Sequence, residues 1–283
     1  FIANWLRENY LIEIIKSFKI ILNQSPEVHF SHDHSLTTQK TPESRLTKKI
    51  DLHLRNNLHQ SMTFSRFLKR NANRFACSSA MEVANRPAHQ YNPLYIFSEC
   101  SLGKTHLLNA IGNHVFNKNP ISRVRYLSAD TFTSDFTYSI HNKKLHEFRE
   151  KYCNLNYLLF DDVQLLANRK KTQEELLFIF NSLLGSKRQI VITGKCPPNQ
   201  LKSISSQLKS RLGGGLLTEI QMPDVNTKVE IINKKAKEDN IDIPDDVVFF
   251  IAKLNNDFKS IIENLVRIET YTSLNQGNIN ICM

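Results

Sequence analysis

The strongest constraint on this 283-residue chain is a series of short apolar segments separated by helical ones. Leu94-Tyr95-Ile96-Phe97, Val124-Arg125-Tyr126-Leu127, Tyr157-Leu158-Leu159-Phe160 and Gln189-Ile190-Val191-Ile192-Thr193 have the length and composition of strands. Between them, helical spacing covers 105–116, a stretch ending near 140, 145–152 and 174–184. Such alternation predicts an α/β fold: a parallel sheet with helices on both faces, since parallel neighbours need long crossovers. Beyond Pro223 the pattern is helical throughout, over roughly 227–239, 244–254 and 259–273, which suits a small helical lid.

The chain divides into four parts. Residues 1–30 place Trp5, Leu6, Leu11, Ile14, Ile15, Phe18 and Ile21 or Leu22 at helical spacing, which is too little for a domain and reads as the tail of one. Residues 31–60 are polar and rich in His, Ser, Thr, Lys and Asn; they cannot bury enough surface to offset their ordering entropy, so a flexible linker is expected. The α/β core then occupies 61–222 and the helical lid 223–283. The first residue is Phe1, not Met, so the chain reads as a fragment. Its longest apolar candidate, Leu11 to Leu22, is interrupted by Glu13, Lys16 and Lys19 and falls short of the about 20 residues that span a bilayer. No secretory leader is evident, and the cytoplasm is the default location.

Five scattered cysteines (Cys77, Cys100, Cys153, Cys196, Cys282) lack paired spacing and read as reduced, mostly buried thiols. The net charge of +10 favours a polyanion, nucleic acid being the commonest. A coding bias toward Lys explains the same charge with no binding role, and charge alone does not separate the two.

Two segments carry chemistry. Ser98-Glu-Cys-Ser-Leu-Gly103-Lys104-Thr105 lies between a strand and a helix, where a phosphate-binding loop belongs. In such a loop backbone N–H groups and the helix N-terminus cradle phosphate, Lys104 neutralises the β/γ-phosphates, and Thr105 offers a hydroxyl to Mg²⁺. The first glycine of the strict pattern is replaced by Ser98. The second segment, Leu158-Leu159-Phe160-Asp161-Asp162, is an apolar strand ending in two carboxylates. Asp161 suits the metal shell and Asp162 the attacking water; alternatively the pair caps the next helix.

Several stretches resemble the bacterial replication-initiator family DnaA. They include Tyr91-Asn-Pro-Leu-Tyr-Ile-Phe97, Leu102-Gly-Lys-Thr-His-Leu-Leu-Asn-Ala-Ile-Gly112 and Leu159-Phe-Asp-Asp-Val-Gln164. Thr172-Gln-Glu-Glu175, Phe180-Asn-Ser-Leu183, Lys209-Ser-Arg211 and Asp242-Ile-Pro244 do so too. Thr63-Phe64 with Asn73-Arg74-Phe75-Ala76 resembles the segment before that family's ATPase core, and Trp5 to Phe30 the end of its N-terminal interaction domain. The resemblance implies an AAA+ P-loop NTPase that binds ATP or ADP with Mg²⁺ and assembles on origin DNA. It implies phosphate contacts from Ser101, Leu102, Gly103, Lys104, Thr105 and His106, and metal contacts from Thr105 and Asp161. Asp162 becomes the water-orienting acid, Thr193 a hydroxyl sensor, and Lys259 the lid cation beside ATP. Arg211 matches the arginine finger that reaches a neighbouring subunit's nucleotide. Implied partners are single-stranded DNA, further copies or a full-length initiator, and a replicative helicase through the N-terminal part. Lys143, Lys144, Arg169, Lys170 and Lys171 are the candidate DNA cations, with a solvated charge run as the alternative reading of the same residues.

The departures from the family pattern bear on activity. Ser98 and Ser101 replace glycines, and a positive φ at either would impose strain of about 1 kcal/mol or more. Lys195 stands where the family usually has an acid, Gln207 replaces an early Arg of the finger segment, and Lys259 keeps charge without forked geometry. Gly213-Gly214-Gly215 replaces a stretch with an aromatic, which predicts a looser segment behind Arg211. The duplex-reading helix-turn-helix is expected to be missing after Met283. An initiator with at most slow hydrolysis is the leading reading. A non-catalytic regulator that binds a full-length initiator, or a decayed product without activity, are its rivals.

Overall fold

The computed structural model describes residues 57–239, 241–254 and 258–275, so the expectations for 1–30, for 31–56 and for Cys282 lie outside the described residues. After a 3-10 turn at Asn71–Asn73 the elements are α1 (Arg74–Asn85), β1 (Leu94–Phe97), α2 (Lys104–Lys118), β2 (Val124–Ser128), α3 (Ala129–His141) and α4 (Leu145–Cys153). They continue as β3 (Tyr157–Asp161), α5 (Lys170–Gly185), β4 (Gln189–Gly194), α6 (Ser206–Leu212) and β5 (Leu216–Glu219). Three helices follow: α7 (Val225–Glu238), α8 (Asp245–Leu254) and α9 (Phe258–Asn275).

The five strands form one parallel sheet in the order β2-β3-β4-β1-β5. Alternate strand residues feed opposite faces, as the period of two requires. Tyr95, Leu158, Phe160, Ile190 and Ile192 pack with residues of α3, α4 and α5, whereas Leu94, Ile96, Leu159 and Val191 pack with α1 and α2. Every residue of β3 and β4 is therefore buried, the signature of a sheet covered on both sides. A separate apolar cluster of Ile232, Val247, Val248, Ile251, Ala252, Ile261 and Leu265 holds α7, α8 and α9 together.

Helix starts follow from local side-chain chemistry. Ser128, Ser205 and Asp224 accept hydrogen bonds from Thr131, Leu208 and Thr227 N–H groups and so cap α3, α6 and α7. Register then sets the site: β3 pairs Phe160 with Ile192, and β1 pairs Phe97 with Gly194. The residues just past β1, β3 and β4 thus emerge at one edge of the sheet.

Three expectations change. Residues 57–60, assigned to the linker, dock on α2: Leu58 is buried, and the His59 N–H donates to Asn109 Oδ1 at 2.8 Å. Gly112 makes room for this, since a Cβ there would collide with Leu58 and sit 2.9 Å from Leu159 Cδ1. The strand β5 and helices α1 and α6 were not foreseen; β5 is four residues long, half exposed, and preceded by three glycines, so it lacks an apolar run. Behind Arg211, Gly215 sits so close to the Pro93 backbone that any side chain would clash. Finally, of the four described cysteines, all free thiols, only Cys77 is buried.

Candidate functional site

The loop after β1 turns into α2 through Gly103, whose φ of 94° places it in the left-handed region. A Cβ at Gly103 would approach Phe67 Cε2 to 2.9 Å. Leu107 N–H is the first to bond back to the Gly103 carbonyl, at 3.0 Å, so the N–H groups of the first turn lack intrahelical acceptors. That is the electropositive end of a 15-residue helix. Ser98 and Ser101 do not have positive φ, so the strain expected of glycine replacement is absent. Ser98 is buried and uses its hydroxyl to donate to the Cys100 carbonyl at 2.8 Å; Ser101 is exposed and Leu102 buried.

Lys104 is the buried cation of the loop, 8% exposed. Its Nζ donates to Ser98 O and Ser98 Oγ, each at 2.8 Å, and to Cys100 O at 3.0 Å. Burial pushes its pKa down, and the charges of Asp162 and Asp161 pull part of that back. All three acceptors are neutral oxygens, an arrangement whose charge complement is an anion.

Asp161, at the end of β3, is 3% exposed and ties three strands to α2. Its Oδ2 accepts from Thr105 Oγ1 at 2.7 Å and from the Tyr126 hydroxyl at 2.8 Å. Its Oδ1 accepts from the Thr193 hydroxyl, which in turn accepts from Asp162 N–H at 2.9 Å. Thr193 is fully buried, and its hydroxyl donates to Asp161 while accepting from Asp162 N–H, so it bridges the two acids. Asp162 takes φ 58°, half buried, with Oδ1 accepting from Gln164 Nε2 at 2.9 Å. Gln164 Oε1 accepts the Lys195 N–H at 3.2 Å, linking the turn after β4 to the acid pair. A hydroxyl and a carboxylate side by side suit an octahedral, oxygen-seeking Mg²⁺ that keeps much of its water.

The segment before α1 covers one side of this loop. His106 Nε2 lies 2.8 Å from Thr63 O, and its ring centroid is 5.3 Å from that of Phe67. Asn113 Nδ2 donates to the carbonyls of His59 and Met62, each at 2.8 Å. From α7, Lys234 Nζ donates to Arg66 O at 3.0 Å, and Glu230 accepts from Arg70 Nε at 2.6 Å. Helix α7 therefore contacts the same segment that contacts α2.

The structure brings Ser101, Leu102, Gly103, Lys104, Thr105, His106, Asp161, Asp162 and Thr193 into one neighbourhood. Arg211 is elsewhere: it is exposed on α6, in a groove with Leu177, Asn181, Ser206, Gln207 and Ser210, and pairs with no described residue. Lys259 falls in the first turn of α9, and its side chain lies outside the described ones. Among the DNA candidates, Arg169 pairs with Asp130 at 3.1 Å and Lys144 with Glu147 at 3.3 Å, while Lys143, Lys170 and Lys171 are exposed. The sequence reading missed Phe67 and Tyr126. Tyr126 reaches the site through register: its partner on β3 is Leu159, which places it on the face of the sheet that also carries Asp161.

A parallel sheet in this strand order, with Gly-Lys-Thr opening the helix after β1 and an acid pair ending β3, defines an AAA+ P-loop protein. Residues 58–219 match the bacterial DnaA ATPase domain, more than half of the chain. The chain belongs to that family. Domain III of the Thermotoga maritima replication initiation protein DnaA is 34% identical, with a TM-score of 0.76 over 79% of this chain and 94% of that one. AMPPCP-bound DnaA from Aquifex aeolicus is 32% identical, with a TM-score of 0.70, covering 75% of this chain and 66% of that one. A replication initiator DnaA bound to AMPPCP and single-stranded DNA matches with the same figures, so this chain spans just under two thirds of those longer proteins. The Thermotoga maritima RuvB branch-migration motor, 16% identical with a TM-score of 0.56, shares the fold. Among the described residues no helix is long and apolar enough to cross a membrane.

Proposed function

We propose that this chain binds ATP or ADP with Mg²⁺ at the loop before α2 and, as an initiator, assembles on origin DNA with nucleotide bridging neighbouring subunits. The observation that carries this reading is Lys104: a buried ammonium whose three hydrogen-bond acceptors are all neutral oxygens, beside the first-turn N–H groups of α2, which lack intrahelical acceptors. In this reading Lys104 neutralises the β/γ-phosphates, and the N–H groups of Ser101 and of Gly103 to His106 cradle them, while the Leu102 N–H donates to Cys100 O at 2.9 Å. Thr105 and Asp161 hold the metal, and Mg²⁺ supplies charge neutralisation of the phosphates. Asp162 orients water, and Lys259 on α9 adds a lid cation. Helices α7 to α9 act as the lid, joined to the base side of the site through Arg70–Glu230 and Lys234.

Arg211 supports the assembly half of the reading, because an exposed guanidinium that pairs with none of the described residues suits a bridge to a neighbour's γ-phosphate. The relative solved with AMPPCP and single-stranded DNA makes the single strand the favoured DNA form, with Lys143, Lys170 and Lys171 as exposed phosphate contacts. Light scattering with ATP, ADP or no nucleotide, with and without single-stranded DNA, tests this. Larger assemblies with ATP than with ADP, lost in Arg211→Ala, are expected. A particle of constant size under every condition would overturn the assembly claim.

A further inference from the structure

Asp161 has a third hydrogen-bond donor that the sequence motifs do not account for. A carboxylate offers about four acceptor positions, two on each oxygen. The Thr105 hydroxyl and the Tyr126 hydroxyl fill both positions on Oδ2, at 2.7 and 2.8 Å, and Thr193 fills one on Oδ1. One position remains, on Oδ1. Tyr126 projects from the middle of β2, pinned by its parallel register with Leu159, so its hydroxyl approaches from a rigid element and not from a loop.

We propose that Tyr126 is a positioning residue for the metal site: by occupying Oδ2 it fixes the rotation of the Asp161 carboxylate and leaves a single oxygen open to the metal shell. This rests on the nucleotide-binding reading above. Burial, reinforced by the charge of Asp161 and the hydrogen bond to it, pushes the Tyr126 phenol well above its usual range, so it remains a donor at every working pH. Without this hydroxyl, Oδ2 has an empty position and the carboxylate can turn about its terminal bond, which lowers its pre-organisation for Mg²⁺ without touching the phosphate loop. Metal affinity then falls while metal-free nucleotide binding does not, in keeping with the tenfold or larger effects typical of groups that orient metal ligands.

The test titrates Mg²⁺ at fixed ATP, reading nucleotide binding by calorimetry, in the wild type, Tyr126→Phe, Asp161→Asn and the double variant. Binding in EDTA is expected to stay within about twofold for Tyr126→Phe, while the Mg²⁺ concentration for half-maximal effect rises about tenfold. In the Asp161→Asn background the second substitution is expected to add nothing. An unchanged Mg²⁺ midpoint, or equal effects in both backgrounds, would overturn the proposal. Should Tyr126→Phe fail to melt cooperatively, 4-aminophenylalanine at position 126, which keeps a donor on the same ring, is expected to bind Mg²⁺ with the wild-type midpoint, and a midpoint raised as far as in a ring without a donor contradicts the role. A wild type that binds no nucleotide overturns the parent reading and this inference together. A wild type that binds with normal Mg²⁺ dependence in Tyr126→Phe overturns this inference alone.

Discussion

The Lys104 ammonium donates to the Ser98 hydroxyl at 2.8 Å, so the cation proposed to meet phosphate is held inside its own loop by a side chain that a glycine would lack. The serine introduces no left-handed strain; it introduces a competitor. Nucleotide must draw Lys104 away from that hydroxyl. A hydrogen bond to a charged group contributes about 1.5–3 kcal/mol, of which the Ser98 and Cys100 carbonyls retain part after substitution.

Ser98→Gly is therefore expected to tighten ATP binding about fivefold, the share of one hydroxyl among three acceptors. Competition titration with a fluorescent nucleotide measures it. Equal or weaker binding in the variant contradicts the competitor role.

The lowered pKa of Lys104 has a consequence for binding. Only the ammonium form attracts phosphate, and burial favours its loss below the ordinary value of 10.5, with Asp162 and Asp161 opposing. Nucleotide affinity is expected to decline as pH rises through the alkaline range below 10.5. Lys104→Arg, protonated throughout, is expected to bind with little dependence on pH over the same range. Affinity measured at successive pH values checks both; a flat wild-type profile up to that value counts against the assignment.

Gly112 decides how closely α2 approaches β3 and the segment at 57–60. Gly112→Ala drives a methyl into Leu58 and Leu159, and over-packing of this kind costs about 1–3 kcal/mol. Denaturant unfolding is expected to show this loss. Leu58→Ala in the same chain opens space and is expected to restore part of it.

Arg149 makes a two-pronged bond to Glu175, 2.7 Å from Nε and 2.8 Å from Nη2, and lies over the Phe178 ring at 4.2 Å. Glu175 is nearly sealed, with its side chain 6% exposed, whereas Arg149 is 40% exposed. Arg149→Ala leaves a buried carboxylate uncompensated, with an expected loss of about 2 kcal/mol once solvent screening on the Arg side is allowed for. Adding Glu175→Leu removes the orphaned charge and is expected to recover most of the loss. Thermal melting of the three variants distinguishes this from a simple loss of packing, for which the double variant is no better than the single.

Alkaline stability follows from buried phenols. Burial, aided by Asp135 at Tyr152 and by Asp161 at Tyr126, raises the pKa of both, and burial alone raises Tyr157 to about 12. A folded pKa above the unfolded value of 10.0 gives stability that is complete below pH 10.0 and lost as pH rises beyond it. Unfolding is expected to steepen above that pH, and less so in Tyr152→Phe.

Much of the architecture was legible because the sheet interior leaves a one-dimensional trace. The fully buried β3 and β4 read as unbroken apolar runs, and Gly-Lys-Thr and Asp-Asp sit where strands end. The strand β5 left none, since it is short, half exposed and defined by close approach to β1 through Gly215. Tyr126 and Phe67 were illegible for a different reason. Their roles come from contacts across 35 or more positions, the Tyr126–Asp161 bond being one, and single-chain periodicity carries no such pairing. The Ser98 departure was visible, but its effect lies in a hydrogen bond to Lys104 and not in backbone strain.

Calorimetric titration of ATP with Mg²⁺ into the wild type and into Lys104→Ala tests the central claim most directly. Saturable one-site binding in the wild type is expected, weakened about a hundredfold in Lys104→Ala, as loss of a charge-assisted phosphate contact implies. No heat of binding up to millimolar nucleotide, or equal binding by the two chains, would contradict the assignment of this loop as the nucleotide site.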